Sequence, residues 1–237
     1  MKLSRLQHDR SSAVLLGMAC GDALGAGYDY AGPLPPDTPV GMRGGIDAGV
    51  LSARGEWTDY TALAVPVANA AAEGLDLTQE ATLDLIAAEW VDWANTAPFA
   101  GLQLGAALSG LDTTAAGVRR NAQHQHDHVG RSAGCGCLLR TAPVALAYLH
   151  DPAALAETAR VLSDLTHCDT DAVAGAAGAL LAARWGLAAV PGEWRRLVQG
   201  WPGLRGPDLV RLSVLAAHSH DTNEAGEREN FRLHVVT

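Results

Sequence analysis

The sequence predicts an all-α protein, and two observations support this prediction. The 237 residues are rich in alanine and leucine, contain 5% aromatic residues and have few β-branched runs, a composition that favours helix over strand. Several segments also combine a helix start signal with apolar residues spaced three and four apart. Because the chain has neither a fixed-period repeat nor a linker of changed composition, a single domain over residues 1–237 is expected.

The predicted helices follow one another along most of the chain. Ser11 or Ser12 can cap the first helix, and Thr78 can open another. The apolar face of the first helix is defined by Val14, Leu15, Met18 and Ala19. The buried face of the helix after Thr78 is expected to contain Leu83, Ile86, Ala87, Trp90 and Ala94. Asp151 and Pro152 form a cap and a first-turn proline for a third helix.

Two further helices are predicted towards the C-terminal end. Residues 169–184 form one helix, which Gly186 can end, and Pro207 begins the last one. By contrast, residues 32–55 are long, irregular and rich in glycine and proline. Loops of that length inside compact domains are usually functional or disordered.

Charge and composition exclude several classes of function. The net charge of −9 disfavours a protein that binds the phosphate backbone of nucleic acids. The only lysine is Lys2, which removes Schiff-base chemistry and the Walker A loop. No apolar stretch approaches the ~20 residues of a membrane span, and the N-terminus lacks a signal-peptide pattern. Four cysteines are too few for a disulfide scaffold, so a soluble cytoplasmic protein with reduced cysteines and no membrane partner is expected.

Asp22, in the segment GDALG at 21–25, is the first candidate for a functional residue. It follows Met18 by four residues, so it lies on the apolar face of the predicted first helix and points inward. A buried carboxylate is unfavourable unless a helix cap, an arginine or a cation compensates for its lost hydration. The residues alone leave two interpretations open, a structural cap or ion pair and a functional acid.

The segment WTDYT at 57–61 immediately precedes an apolar helix predicted at 62–72. Thr58 and Asp59 are ordinary residues for a helix start. A threonine hydroxyl and an aspartate carboxylate are also oxygen ligands that Mg²⁺ accepts in octahedral geometry. A capping role and a magnesium-binding role therefore both fit this segment.

Gly134 and Gly136 lie in a loop at 132–140 that precedes another apolar segment. Glycines at a helix start let backbone N–H groups approach an anion, and the helix dipole adds favourable potential. Cys135 and Cys137 are only two residues apart, which is a poor spacing for zinc ligands, and no second cysteine pair follows. The loop therefore indicates an anion site in preference to a zinc site.

Histidines occur in two further places of interest. His124, His126 and His128 alternate, and alternating side chains share a face only in an extended chain. Because no strand is predicted nearby, a solvated loop is expected there, with opportunistic transition-metal binding as the alternative. His167 stands beside Cys168 and, taken singly, is expected to be a hydrogen-bonded core histidine.

Taken in order, these segments resemble the ADP-ribosylglycohydrolase family of all-helical, magnesium-dependent enzymes. The family's GDALG motif and the acidic residue after it match 21–25 and Asp29, and its [ST]DDT motif matches TDYT at 58–61. Its glycine loop leading to MR-x-AP matches 134–143, and its TH-x-[DH] turn matches Thr166 and His167. The resemblance is firm over residues 13–186. It implies a compact orthogonal helical bundle whose motif-bearing core spans about residues 12–226.

Two positions depart from the pattern of that family. Tyr60 stands where the family has a metal-binding aspartate. The late D-x-D-[ST] motif is matched only loosely by DTNE at 221–224, where Asn223 replaces the second aspartate. Each lost carboxylate weakens a divalent-cation site, because Mg²⁺ affinity depends on ligand charge. The resemblance therefore implies one bound Mg²⁺ where the family has two.

The resemblance also implies roles for the candidate residues. The expected Mg²⁺ ligands are Asp29, Thr58, Asp59, Asp221 and Asn223. Asp29 or Asp59 would also orient the attacking water. The expected substrate-binding residues are Asp22, Tyr60, Gly134, Cys135, Gly136 and His167.

Two functions follow from the resemblance. The first is a hydrolase that removes ADP-ribose from a modified target by magnesium-assisted attack of water at the anomeric carbon. The alternative is a catalytically impaired pseudoenzyme that binds ADP-ribose or acts as a regulatory module. The retained acids and the glycine loop favour the first function, whereas Tyr60 and Asn223 favour the second.

Overall fold

The structure is a computed structural model that describes residues 4–28, 34–35, 37–47, 50–51, 53–97, 100–130, 132, 134–168, 187 and 192–219. In these ranges almost all regular structure is helical, which confirms the predicted all-α class. Two short pairs of antiparallel strands accompany the helices.

The first helix, α1, spans Arg5–Ala26 and begins earlier than predicted. A capping box closes its N-terminus: Ser4 Oγ accepts from Gln7 N–H at 3.2 Å, and Gln7 Oε1 accepts from Ser4 N–H at 2.9 Å. The prediction that Ser11 or Ser12 caps this helix is wrong, because both serines are buried within it. The first turns carry mostly polar residues, so the apolar period from which the start was inferred appears only later in the helix.

A small hairpin lies within the predicted loop at 32–55. Strand β1, Ile46–Asp47, pairs with strand β2, Val50–Leu51. Tyr28, just after the end of α1, binds the segment that precedes β1. Its hydroxyl donates to the Gly41 carbonyl and accepts from the Gly41 N–H, each at 3.0 Å. The guanidinium of Arg43 covers the Tyr28 ring at 4.0 Å.

Helix α2, Asp59–Ala72, is the central element of the fold. Nearly every side chain at 61–71 is buried, because apolar residues surround this helix on all sides. Helix α3, Glu80–Thr96, packs against it and begins two residues after Thr78. The Asp76 carboxylate accepts from both the N–H and the hydroxyl of Thr78, in the turn before the helix. Four of the five residues predicted for the buried face of α3 are fully buried, and the fifth, Ala94, is partly buried.

The three alternating histidines lie in a helix, so the predicted solvated loop is wrong. Helix α4, Leu102–Ala107, is followed by α5, Ala115–Val129, which contains all three. His124 and His128 are four residues apart and stack with ring centroids 5.3 Å apart. The Thr114 cap and the left-handed Gly130 mark the ends of α5. The alternation of the three histidines excludes a face that all of them share in a helix, not the helix itself, and Thr114 and Gly130 are the two sequence signals that mark this helix.

Three helices follow the glycine loop. They are α6, Gly136–Arg140; α7, Val144–Ala147; and α8, Pro152–Asp164. The predicted start of α8 is confirmed, because the Asp151 carboxylate accepts from the N–H groups of Ala153 and Ala154 at 3.1 and 2.9 Å. The helix predicted at 169–184 lies outside the described residues.

The last described elements close the bundle. Helix α9, Gly192–Leu197, leads into strands β3, Gln199–Gly200, and β4, Leu204–Arg205, and then into helix α10, Gly206–Ser219. Pro207 lies in the first turn of α10, as predicted. Helix α10 packs along α1 and α2, so the core forms where these three helices meet. None of the described helices is long and apolar enough to cross a bilayer.

Candidate functional site

The Asp22 carboxylate, near the end of α1, binds the N-terminus of α2. Its Oδ2 accepts from the N–H groups of Thr58 and Thr61, at 3.1 and 3.0 Å, and from the Thr61 hydroxyl at 2.6 Å. Its Oδ1 accepts from the Thr58 hydroxyl at 2.5 Å. A carboxylate from another helix thus satisfies two N–H groups that lack partners at the start of α2. The structure thus shows the capping interaction of Asp22, and the substrate-binding role that the resemblance implies for it stays a prediction.

Burial and hydrogen bonding act in opposite directions on Asp22. Burial raises the pKa of its carboxyl group, and the hydrogen bonds from Thr58 and Thr61 lower it. Thr58 itself makes no side-chain cap to α2, because its hydroxyl is directed to Asp22. The conformation of the segment at 58–61 therefore depends on α1.

Asp59 lies beside this arrangement with much weaker compensation. Among the described residues its only side-chain donor is the Thr58 hydroxyl at 3.2 Å, which Asp22 engages at the shorter distance of 2.5 Å. Burial, followed by repulsion from Asp22, raises the pKa of Asp59 to about 6. Hydrogen bonds from the Thr58 hydroxyl and from the backbone of Asp59 and Tyr60 only partly offset these effects. Asp59 is thus a largely desolvated carboxylate beside a second negative charge, which is favourable chemistry for receiving a cation.

Tyr60 connects the start of α2 to the glycine loop. Its hydroxyl lies 3.9 Å from the Cys135 sulfur, on the exposed side of the site. Burial, then the neighbouring Asp59 and Cys135, raise the pKa of the Tyr60 phenol, so it is neutral at physiological pH. A neutral phenol does not supply the charge that a carboxylate at this position would give to a cation.

Gln103 of α4 fastens the glycine loop to the rest of the site. Its Nε2 donates to the Ser132 carbonyl at 2.8 Å, and its Oε1 accepts from the Gly134 N–H at 3.1 Å. A methyl group on Gly134 would lie 2.8 Å from that Oε1 atom, so a glycine is needed for this close approach. The Gly134 N–H is therefore already engaged by the protein.

His167 supports the loop from the inside. Its side chain is buried, and its Nδ1 lies 2.7 Å from the Thr166 hydroxyl. Burial, followed by repulsion from Arg140, lowers the pKa of His167 to about 4, although a hydrogen bond to the Gly134 backbone opposes that shift. The ring is thus neutral at physiological pH.

The structure brings most of the predicted site residues into one region. Those that lie together, linked by the contacts above, are Asp22, Thr58, Asp59, Tyr60, Gly134, Cys135, Gly136 and His167. Three predicted site residues, Asp29, Asp221 and Asn223, lie outside the described part of the chain.

Three residues of this region were missed or given no role by the sequence analysis. Thr61 could have been found from its spacing, because it follows Thr58 by three residues and so lies one helical turn further along. Arg140 could have been found as the single charge in the apolar run at 137–147. Nothing in the sequence signals Gln103, which reaches the loop from a distant helix.

The described donors fit one cation in part. Asp59 offers a carboxylate whose donors are the Thr58 hydroxyl and the backbone of Asp59 and Tyr60. The Thr58 hydroxyl donates its proton to Asp22 Oδ1 and so keeps its lone pairs available for an ion. Asp22 is already occupied by four hydrogen bonds and so acts behind Thr58, orienting it. Within the described ranges, no group of three or more His, Cys, Asp or Glu side chains surrounds one point.

Comparisons with known proteins agree on one family. A sequence profile of the ADP-ribosylglycohydrolase family matches residues 3–176, which is more than half of the chain. A solved structure described as an ADP-ribosylglycohydrolase-related protein complex superposes with a TM-score of 0.62 and 19% sequence identity, covering 92% of this chain and 100% of the other. At that identity the likeness shows the fold. A comparison with curated proteins found no match.

Proposed function

This chain belongs to the ADP-ribosylglycohydrolase family, and from that premise we propose that it removes ADP-ribose from a modified target by attack of water at the anomeric carbon. Family membership supports a glycohydrolase-like function in general. The bond cleaved, the use of Mg²⁺ and the residues that act are our proposal.

The observation that carries the proposal is the pairing of Asp22 with Asp59. Two carboxylates lie on either side of one threonine hydroxyl, one saturated with hydrogen bonds and the other not. The raised pKa of Asp59, about 6, is the sign of the unsatisfied charge. A fold that needed Asp59 only as a first-turn residue of α2 would gain more from exposing it to water.

We propose that one Mg²⁺ binds at this point. Thr58 and Asp59 would hold it, together with Asp29, Asp221 and Asn223 from outside the described residues. When bound, such an ion supplies positive charge that orients ribose hydroxyls and lowers the pKa of a bound water. Its charge would also relieve the repulsion between Asp59 and Asp22.

The residues of the chain then divide the remaining tasks. Asp22 fixes Thr58 and the first turn of α2, which sets the direction of the Asp59 carboxylate. Asp59 accepts a hydrogen bond from the attacking water and so directs the water lone pair towards the anomeric carbon. The loop at 134–136, which contacts Tyr60 through Cys135 and packs on His167, would receive the ADP-ribosyl group.

Tyr60 supports a second candidate function, in which the chain binds ADP-ribose without turnover. The phenol of Tyr60 stands where the family motif has an aspartate, and its hydroxyl lies 3.9 Å from the Cys135 sulfur. Its aromatic face could stack on the adenine or the ribose. This candidate keeps the same site and differs only in the absence of hydrolysis.

A turnover assay distinguishes the two candidates. ADP-ribosylated arginine and serine peptides are incubated with the protein and Mg²⁺, and released ADP-ribose is measured. We expect release by the wild type, loss of about a hundredfold or more in the Asp59→Asn variant, and no change in Asp92→Asn, which neutralises an exposed carboxylate on α3. Binding of ADP-ribose with no release from either peptide would favour the second candidate.

A further inference from the structure

Arg140 is a fully buried cation for which the proposed chemistry has no use. Its side chain is 0% exposed, and its guanidinium lies 4.4 Å from the centre of the Trp90 ring. The Nη2 atom donates to the Thr166 hydroxyl at 2.5 Å and to the Leu162 carbonyl at 3.2 Å. Within the described ranges its Nε and Nη1 atoms have no hydrogen-bond partner, and it forms no ion pair with a carboxylate. Such a costly placement calls for a reason.

The hydrogen bond from Arg140 fixes the direction of the next one. A guanidinium can only donate, so the Thr166 oxygen must accept from Nη2. The Thr166 proton is then free to point to His167 Nδ1, 2.7 Å away. The second lone pair of the Thr166 oxygen could also accept from an Nδ1–H, but the Thr166 proton would then have no acceptor among the described residues. We therefore infer that His167 Nδ1 is the ring nitrogen that carries a lone pair.

A neutral imidazole with a lone pair on Nδ1 carries its proton on Nε2. That nitrogen faces the glycine loop, since a methyl group on Gly134 would lie 3.6 Å from it and one on Gly136 would lie 4.0 Å from it. His167 makes a hydrogen bond to the Gly134 backbone, and it is one that stabilises the protonated nitrogen. The His167 N–H therefore donates to the Gly134 carbonyl.

We propose that Arg140 and Thr166 form a hydrogen-bond relay that fixes His167 as its Nε2–H tautomer and thereby holds the loop at 134–136 in place. Arg140 and Thr166 are positioning residues, because they act on the loop through His167. The relay acts on the loop through the bond between His167 and the Gly134 carbonyl. Gln103 binds the same residue through the Gly134 N–H. That the loop receives an ADP-ribosyl group rests on the proposed function, whereas the tautomer and the loop position do not.

Electrostatics is consistent with the relay. Burial and the nearby Arg140 charge lower the pKa of His167 to about 4, so the ring stays neutral over the physiological range and retains a tautomer to be chosen. Burial also lowers the pKa of Arg140, to about 10, which leaves the guanidinium charged and able only to donate. The hydrogen bond between Arg140 and Thr166 therefore has a single direction, from the guanidinium to the hydroxyl oxygen.

The test uses the full chain with ¹⁵N-labelled histidine and reads the two ring nitrogens of His167 by NMR at neutral pH. We expect the wild type to show a protonated Nε2 and an unprotonated Nδ1. Thr166→Val removes the hydroxyl at almost constant volume, and we expect it to shift His167 to a mixture of tautomers or to the Nδ1–H form. Thr166→Ser keeps the hydroxyl and should restore the wild-type signals.

The chain offers a matched control on α8, the helix that immediately precedes Thr166. Thr158 is also fully buried, but its hydroxyl has no hydrogen-bond partner in the part of the chain that the structure describes. Thr158→Val makes the same chemical change and should leave the His167 tautomer unchanged. Any effect of Thr166→Val that Thr158→Val shares would reflect packing alone, and would overturn the relay.

Loop position is read separately, by hydrogen exchange of the Gly134 amide. We expect exchange to become about tenfold faster in Thr166→Val and to remain at the wild-type rate in Thr166→Ser and Thr158→Val. An Nδ1–H tautomer in the wild type, or a Thr166→Val variant with wild-type signals and wild-type exchange, would overturn the proposal.

Calorimetry with ADP-ribose separates this proposal from the proposed function. If the loop receives the ligand, Thr166→Val should weaken binding by about tenfold, with a smaller effect on kcat. Failure of the wild type to bind ADP-ribose would overturn the proposed function, while the tautomer and exchange results would still decide the relay.

Discussion

Two charged side chains of this region, one carboxylate and one guanidinium, are satisfied in different ways. Asp22, between α1 and α2, receives four hydrogen bonds from two threonines. Arg140, at the end of α6, donates two hydrogen bonds and lies over an aromatic ring, and two of its nitrogens have no hydrogen-bond partner among the described residues. The hydrogen-bond partners found for each charge there are neutral groups.

Each of these two charges shifts the pKa of one neighbouring side chain. Asp59 lies beside Asp22 and His167 beside Arg140, and in each case burial and the like charge favour the neutral form. Asp22, whose carboxylate accepts four hydrogen bonds, therefore has a structural role at the start of α2. The neighbouring Asp59, short of partners, is the residue that is available to a ligand.

The largest expected effect follows from removing Asp22. Asp22→Ala leaves two N–H groups and two hydroxyls at the start of α2 without their acceptor. Because each hydrogen bond to a charged group contributes about 1.5–3 kcal/mol and such bonds are not additive, we expect a loss of about 3 kcal/mol in the free energy of unfolding. Urea denaturation measures it. Asp59→Ala is the matched control, and an equal loss there would remove the distinction between the two acids.

The second prediction concerns pH and the same pair of acids. Below about pH 4 Asp59 is protonated in both states. Because its folded pKa is raised to about 6, the folded state binds more protons between these values, and stability falls as pH rises. Above pH 6 the loss is constant, at about 2 kcal/mol after a discount for solvent exposure.

This pH effect is isolated by comparing Asp59→Asn with the wild type by urea denaturation in EDTA. The comparison is needed because His167 acts in the opposite direction. Its folded pKa is lowered to about 4, so its contribution makes stability rise with pH up to about 6.5. The stability gained by the Asn variant should grow between pH 4 and pH 6. A constant difference would mean that burial and Asp22 do not raise the pKa of Asp59 in the folded state.

The third prediction restores the charges that the family pattern has and this chain lacks. Tyr60→Asp combined with Asn223→Asp should raise Mg²⁺ affinity by about tenfold or more, since ligand charge sets the strength of such sites. Calorimetric titration with Mg²⁺ measures the change. Unchanged affinity would show that Asn223 is not aligned with the second aspartate of the late motif.

The smallest expected effect is at the glycine loop. Gly134→Ala places a methyl group 2.8 Å from Gln103 Oε1, and a flexible side chain can move away from it. We expect a loss of about 0.5–1 kcal/mol in stability, mostly from the weakened Gln103 clamp. Gly136→Ala is the control, because its methyl group would meet His167 at ordinary contact distance. Equal losses for both variants would contradict the role given to Gln103.

The sequence was sufficient for the helical class and for the local start of α8, because both depend on neighbouring residues. It was insufficient for the histidine-rich helix, where a polar surface hides the helical period. For Asp22 it indicated an inward-facing acid but could not choose between cap and ligand, because that choice depends on Thr58 and Thr61, more than thirty residues away. The relay from Arg140 could not be inferred from sequence for the same reason.

We propose above that the Asp59 carboxylate is available to help bind an ADP-ribosyl group, through a cation, in this site. Calorimetric titration of ADP-ribose in the presence of Mg²⁺, on the wild type and on Asp59→Asn, tests it most directly. We expect one ADP-ribose binding site in the wild type and an affinity for ADP-ribose that is reduced by about tenfold or more in Asp59→Asn. Equal affinity of the two proteins for ADP-ribose would contradict it.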